Sequence, residues 1–153
     1  MSMDADLLCV LTRVARAVES VVPELSLDAK IGEPQLLENE VREDDGAPEM
    51  ASPSGEWVRS LGFEIRHRGV WVGGFEHASI GSEREQIQAV ALELMSEVQD
   101  IVSEATTEPW PPVVVNNRKD MAMADAVIEG DDLHLWYGDR EYPALRLPSV
   151  HLV

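Results

Sequence analysis

Between Ser82 and Ala105 the apolar residues Ile87, Val90, Ala91, Leu94, Val98 and Ile101 recur every three or four positions, and Ala105 continues the series. That interval matches one helical turn, so the segment reads as an amphipathic helix with one stripe to bury, widened by Met95 and Val102. Ser82 and Glu85 have the spacing of a capping box at its start. Thr106 to Pro109 ends it, and Pro109-Trp110-Pro111-Pro112 forces an extended exit, because a residue before proline is pushed out of helical geometry. A stripe of this kind requires a second layer to cover it.

A second helix is expected from Asp4 to Val22. Leu7, Leu11, Val14, Val18 and Val21 share one stripe, with Leu8, Val10 and Val22 at its edges. Asp4 has the chemistry of an N-cap, and Pro23 stops the helix. The rest reads as strands. Leu25 and Leu27 begin a short alternation. Leu61, Phe63 and Ile65 alternate with Ser60, Gly62, Glu64 and Arg66, and Arg68-Gly69 suits a two-residue turn, so a hairpin is expected over Trp57 to Phe75. Such a turn pairs His67 with Val70 and Ile65 with Val72, which puts Phe63, Ile65, Val70 and Val72 on the buried face. It also sets Arg66 opposite Trp71 on the outer face, within reach of a cation–π contact. Gly73-Gly74 marks a bulge or a close backbone approach.

After the Trp-Pro step, Val113 to Val115 is a strand candidate, followed by polar Asn116 to Asp120. Ala126 to Glu129 and Leu133 to Tyr137 flank the turn signal Gly130-Asp131-Asp132. Tyr142 to Leu147 is a last strand, held at a sheet edge by Pro143 and Pro148. The order of helix, loop, hairpin, helix and strands predicts an α+β fold, with two amphipathic helices packed on a small antiparallel sheet built of hairpins. Helices and strands do not alternate, which argues against a doubly wound parallel sheet. At 153 residues and 44% hydrophobic content, residues 1–153 suffice for a single domain with its own core. Residues 33–55, acidic and then rich in Pro, Ser and Gly, read as a flexible surface loop.

Cys9 is the sole cysteine and sits among Leu7, Leu8, Val10 and Leu11, so a buried, inert thiol is expected and no intrachain disulfide is available. The opening Met-Ser-Met-Asp-Ala-Asp lacks a basic region, and no apolar run approaches a membrane span. The sequence thus predicts a cytoplasmic protein.

Charge is the other strong feature: 29 Asp and Glu against 12 Lys and Arg, a formal net charge of −17. Charge of this sign disfavours nucleic acid and anionic membrane surfaces and favours a basic protein partner. Glu93, Glu97, Asp100 and Glu104 follow spacings of four, three and four, so they form a carboxylate ridge on one flank of the helix over 82–105, roughly a right angle from its apolar stripe. No Lys or Arg lies between Arg84 and Arg118 to relieve their repulsion. A solvated face of an acidic protein explains such a ridge; so does a docking face for a basic surface, which the acids at Glu38, Glu40, Glu43, Asp44 and Asp45 would extend. Trp71 and Trp57 are the candidate anchors, since tryptophan is enriched at interface hot spots. Trp110 and Trp136 are expected to pack against the core.

Catalytic signals are sparse. Asp132 and His134 lie two apart in a strand and share a face, continued by Trp136, so the acid is placed to orient the imidazole. A hydrolytic dyad also needs a nucleophile, and no Gly-x-Ser-x-Gly elbow is present. His67, His77, His134 and His151 are too scattered for a metal motif, Asp131-Asp132 lacks the flanking ligands of a calcium loop, and Gly69, Gly73 and Gly74 form no phosphate-binding fingerprint. Neither metal nor cofactor is therefore expected.

Glu97-Val98-Gln99-Asp100-Ile101-Val102-Ser103-Glu104, followed by Glu108-Pro109-Trp110-Pro111, resembles a segment of small uncharacterised proteins of high-GC Gram-positive bacteria, in which a helix ends in a Trp-Pro step and a β-hairpin follows. The Cys and His positions found in many of those proteins after the Trp-Pro are absent here. The resemblance implies a bacterial cytoplasmic origin and a hairpin after Trp110-Pro111, and no function.

The expectation from sequence is a non-enzymatic acidic protein-binding module, such as an immunity or inhibitor protein occupying a basic surface. Its alternatives are a structural or assembly subunit of a phage-like or secretion particle, with self-association into a homo-oligomer, and a small hydrolase-like enzyme centred on Asp132 and His134.

Overall fold

The computed structural model describes residues 3–36, 57–78 and 81–153; residues 37–55 of the expected acidic loop, with Glu38, Glu40, Glu43, Asp44 and Asp45, lie outside them. Helix α1 spans Met3–Val21 and α2 spans Glu83–Thr106. In α2 the Glu85 N–H donates to Ser82 Oγ at 3.2 Å, satisfying one of the N–H groups a helix start leaves without a partner. Thr107 closes the other end in the left-handed region, φ 56°.

Leu7, Leu11, Val14 and Val18 of α1 are buried, as their spacing predicts. Cys9 is exposed, contrary to expectation. Its sequence neighbours are apolar, but it stands about 200° around the helix from Leu7, off the stripe. In α2 the buried set is Ile87, Val90, Ala91, Leu94, Met95, Val98, Gln99 and Val102, while Ile101 is only partly buried. The inward face is thus turned toward Met95 and Val102. That turn buries Gln99, whose side-chain N–H donates to the Ala122 carbonyl.

Strands β1 (Leu25–Ile31), β4 (Ser60–His67) and β5 (Val70–Ala78) form an antiparallel sheet in the order β1-β4-β5. The turn at Arg68-Gly69 forms where expected, pairing His67 with Val70 and Arg66 with Trp71. The register then shifts between Arg66 and Ile65, so Ile65 faces Gly73 rather than Val72. A bulge of this kind inserts one residue into one strand only. Val72 consequently does not share the core with Phe63 and Ile65, and Val70, paired with His67 as expected, lies at the open end of the ribbon; the two are 42% and 65% exposed. The expected cation–π contact gives way to an ion pair, Arg66 to Asp28 of β1 at 2.9 Å. At Gly62 and Gly74 the backbones of β4 and β5 leave no room for a side chain: a Cβ on Gly62 would lie 1.8 Å from the Phe75 carbonyl oxygen.

The second sheet is built on the hairpin of β8 (Ala124–Glu129) and β9 (Asp132–Gly138), with Gly130 at φ 63° in its turn. Two short strands share the other edge of β9. Strand β10 (Pro143–Arg146) pairs with Trp136 and Tyr137, and β11 (Val150–His151) with Asp132 and Leu133. The remaining strands form two separate ribbons: β2 (Gln35–Leu36) with β3 (Trp57–Val58), and β6 (Pro112–Val115) with β7 (Arg118–Met121). The chain is α+β, but the single sheet expected is replaced by several. Strand β7 was hidden because Arg118, Lys119 and Asp120 are polar throughout and show no alternation. Its turn residues Asn116 and Asn117 both take positive φ, which asparagine tolerates.

The packing of α1 on β1 and β11, and of α2 on β8 and β4, joins both sheets in one apolar cluster. Tyr137 sits fully buried within it, and its O–H donates to the Met95 carbonyl at 2.9 Å. Trp110 packs edge-on against the Tyr137 ring at 5.4 Å, and its backbone N–H donates to Ser103 Oγ near the end of α2. Trp136 is buried as well, yet it stands outside this cluster on the opposite face of β9.

Burial pushes the Tyr137 hydroxyl well above the ordinary tyrosine range. A folded-state pKa raised this way contributes stability that is complete below the unfolded value of about 10 and lost as pH rises past it. In a Tyr142→Phe background the phenolate absorbance band is expected to appear only together with unfolding, read by circular dichroism; a phenolate titrating in the folded chain would contradict the burial. Gly62→Ala is expected to lower the melting temperature far more than Ala89→Gly, because the obstructing atom is backbone and cannot swing aside.

Candidate functional site

Helix α2 carries the four ridge carboxylates on the flank beside its buried stripe. Glu93 and Glu97 are half-buried, and Asp100 and Glu104 are exposed. Glu93 is held by His77 of β5, whose Nδ1 contacts its carboxylate. His77 pairs with Leu61 and stands on the inward side of β5, the side that also presents Phe75. Glu97, Asp100 and Glu104 make no ion pair among the described residues. They lie on a helix with no basic residue in its last turn. Three successive carboxylates at helical spacing thus face solvent without a counter-charge, a repulsion of a few tenths of a kcal/mol per pair.

Trp71 is 63% exposed at the tip of the β4–β5 hairpin, flanked by exposed Val70 and Val72. It lies six residues from His77, about 20 Å at the rise of an extended strand. Trp71 pairs with Arg66 on the outer side of the sheet and His77 stands on the inner side, so the ridge and the Trp71 tip are separate features and not one compact patch. Trp57 pairs with Leu36 in the β2–β3 ribbon; its side chain is outside the described residues.

The turn end of the Trp71 hairpin is held by charge. Glu24, just before β1, accepts from Arg68 at 3.2 Å and contacts His67 Nε2 at 3.2 Å. The Arg68 hydrogen bond, then that of His67, holds the Glu24 carboxyl below the ordinary glutamate range.

Asp132 and His134 share a face of β9, as their spacing requires, but they do not form a dyad. Asp132 Oδ1 meets His151 Nδ1 of β11 at 2.9 Å. His134 Nδ1 meets Ser149 Oγ at 3.2 Å, and its Nε2 lies 3.9 Å from Glu129. Ser149 reaches His134 only because the chain crosses between β10 and β11 at Leu147-Pro148-Ser149. No motif announces that contact; the one available signal was Pro148, which interrupts strand pairing.

Cys9 opens onto a shallow cavity of about 760 Å³ between α1 and β11, with apolar walls from Leu8, Ala17, Pro148 and Val150. Arg13 and Arg16 stand at its rim, but Arg13 donates to the His151 carbonyl and Arg16 is paired with Glu19. Among the described residues no three His, Cys, Asp or Glu gather as a metal-binding group, and no helix is long and apolar enough to cross a membrane.

No family model, curated protein or solved structure matches this chain.

Because its folded-state pKa is lowered, Glu24 contributes stability above the ordinary glutamate range that is lost as pH falls through the folded value. Carboxyl NMR is expected to show Glu24 titrating below an ordinary glutamate, and Arg68→Ala is expected to move it upward. An unchanged Glu24 midpoint in Arg68→Ala would show that the pair does not form in solution.

Proposed function

We propose that this chain is a non-enzymatic, acidic protein-binding module that occupies a basic surface of a partner, in the manner of an immunity or inhibitor protein. The observation that carries the reading is the uncompensated run Glu97, Asp100 and Glu104, extended by Glu93, on a helix whose apolar stripe is already used in the core. Other carboxylates of this chain are engaged by its own cations, as Asp28 and Asp131 are by Arg66 and Arg84. The ridge carboxylates beyond Glu93 have no such partner among the described residues.

The mechanism divides between rate and residence. The net charge of −17 accelerates encounter with a basic surface over a range set by salt. Trp71, with Val70 and Val72, then supplies apolar area that slows dissociation. Trp57, pairing in the neighbouring ribbon, is the second proposed anchor.

A second reading, a subunit of a larger assembly, draws on the β6–β7 ribbon. Val114 and Val115 are 67% and 52% exposed there, and Met121 joins them. A two-stranded ribbon standing alone is marginal in water, and self-association would cover it.

Replacement of Glu93, Glu97, Asp100 and Glu104 by Lys is expected to abolish capture of the partner from a lysate of the source organism while far-UV circular dichroism stays unchanged. The captured partner is expected to be a stoichiometric basic protein released by a salt gradient. Undiminished capture by the four-Lys chain would overturn the ridge as the docking face. Recovery of many copies of the bait in one particle, seen by light scattering, would favour assembly.

A further inference from the structure

A pocket of about 260 Å³ opens on the outer face of the second sheet, where the chain crosses from β10 to β11. Its construction follows from the register. His134 and Trp136 are two apart on β9 and therefore share that face. Arg146 of β10 pairs directly with Trp136 and joins them. The Leu147 N–H donates to the Leu135 carbonyl at 3.1 Å, which holds the crossing against β9 and brings Ser149 Oγ to His134 Nδ1 at 3.2 Å. Arg140 covers the Trp136 ring, its guanidinium 5.4 Å from the centroid, so an outward-facing tryptophan becomes a floor only 4% exposed.

The polar side chains of the wall are Arg140, Arg146, His134 and Ser149, and none of the lining residues is an acid. In a chain with 29 acidic residues this is a local inversion of charge. The two arginines differ in their engagement. Arg140 is paired with Glu129. Arg146 donates one N–H to the Arg140 carbonyl at 3.1 Å and makes no ion pair among the described residues, so its charge has no counter-ion. The acids on the same face are each engaged: Glu129 pairs with Arg140 and lies 3.9 Å from His134 Nε2, Asp132 meets His151, and Asp125 accepts from the Ala126 N–H. Charges elsewhere on the surface are screened beyond about 8 Å at physiological salt, so the net charge does not decide what this pocket accepts.

We propose that this pocket binds a small oxyanion, the phosphate or carboxylate group of a ligand. Arg146 presents the planar fork of donors that such a group matches. The Ser149–His134 pair supplies one further donor beside it, the Ser149 O–H or the His134 Nε2–H according to which tautomer their shared hydrogen bond takes. The volume is below the roughly 300 Å³ at which ligand pockets begin, so the site takes a terminal group and not a whole nucleotide. The site is independent of the carboxylate ridge and stands whether or not that ridge docks a partner.

The test is an NMR titration of the full chain, following the His134 ring and the Ser149 amide. Inorganic phosphate and acetate are added in separate arms, each against sodium chloride at matched ionic strength. Saturable shifts centred on His134 and Ser149 are expected at millimolar concentration. Arg146→Gln is expected to weaken binding at least tenfold, Ser149→Ala several-fold, and Arg118→Gln, at the distant β6–β7 turn, not at all. Tighter binding of phosphate assigns a phosphoryl group, and tighter binding of acetate a carboxylate. Shifts that fail to saturate, that chloride reproduces, or that survive Arg146→Gln unchanged would overturn the site. Near-UV circular dichroism from the buried Trp136 reports that each variant keeps the pocket floor.

Discussion

The Tyr137 hydroxyl bonded to the Met95 carbonyl ties the middle of α2 to β9 inside the core, and the orientation of α2 depends on that contact. With Met95, Gln99 and Val102 turned inward, the apolar stripe of α2 meets β8 and β4 together and joins two sheets that make no strand pairing with each other. The same rotation leaves Asp100 and Glu104 in solvent and brings Glu93 to His77. Core packing and presentation of the ridge are therefore one geometric fact.

Charge contributes little to holding this structure together. The ion pairs that link elements, Arg66 to Asp28, Arg68 to Glu24 and Arg84 to Asp131, join exposed side chains, and such pairs are worth about 0–1 kcal/mol. Cohesion comes from the apolar cluster, in which Phe63, Leu94, Leu135 and Tyr137 are fully buried. The surplus carboxylates act against it through mutual repulsion.

The parts of this architecture legible in the sequence are those set by local periodicity and turn chemistry. The stripes of α1 and α2, the Ser82 cap and the turns at Arg68-Gly69 and Gly130-Asp131 all depend on residues within a few positions of one another. What escaped reading depends on three-dimensional neighbours. One bulge residue moved Val72 off the face that a regular hairpin would give it, and Cys9 stands outside although its chain neighbours are apolar. Strand β7 has no apolar alternation at all. The division into several sheets follows from which hairpins the helices cover, and no hairpin encodes that by itself. At the candidate sites, the spacing of the ridge was plain in the sequence. The meeting of Ser149 with His134, and of Arg146 with the pocket floor, arises from a chain crossing that no spacing anticipates.

The claim on which this account rests is that the ridge carboxylates are not part of what holds the fold. Its most direct measurement is the melting temperature of the Glu97→Gln, Asp100→Asn, Glu104→Gln triple variant against the parent chain, at low and at high sodium chloride. The account predicts that the variant melts higher at low salt and that the difference closes as salt screens the parent's repulsion. A variant that melts lower at low salt would show these carboxylates to be structural and would contradict the account.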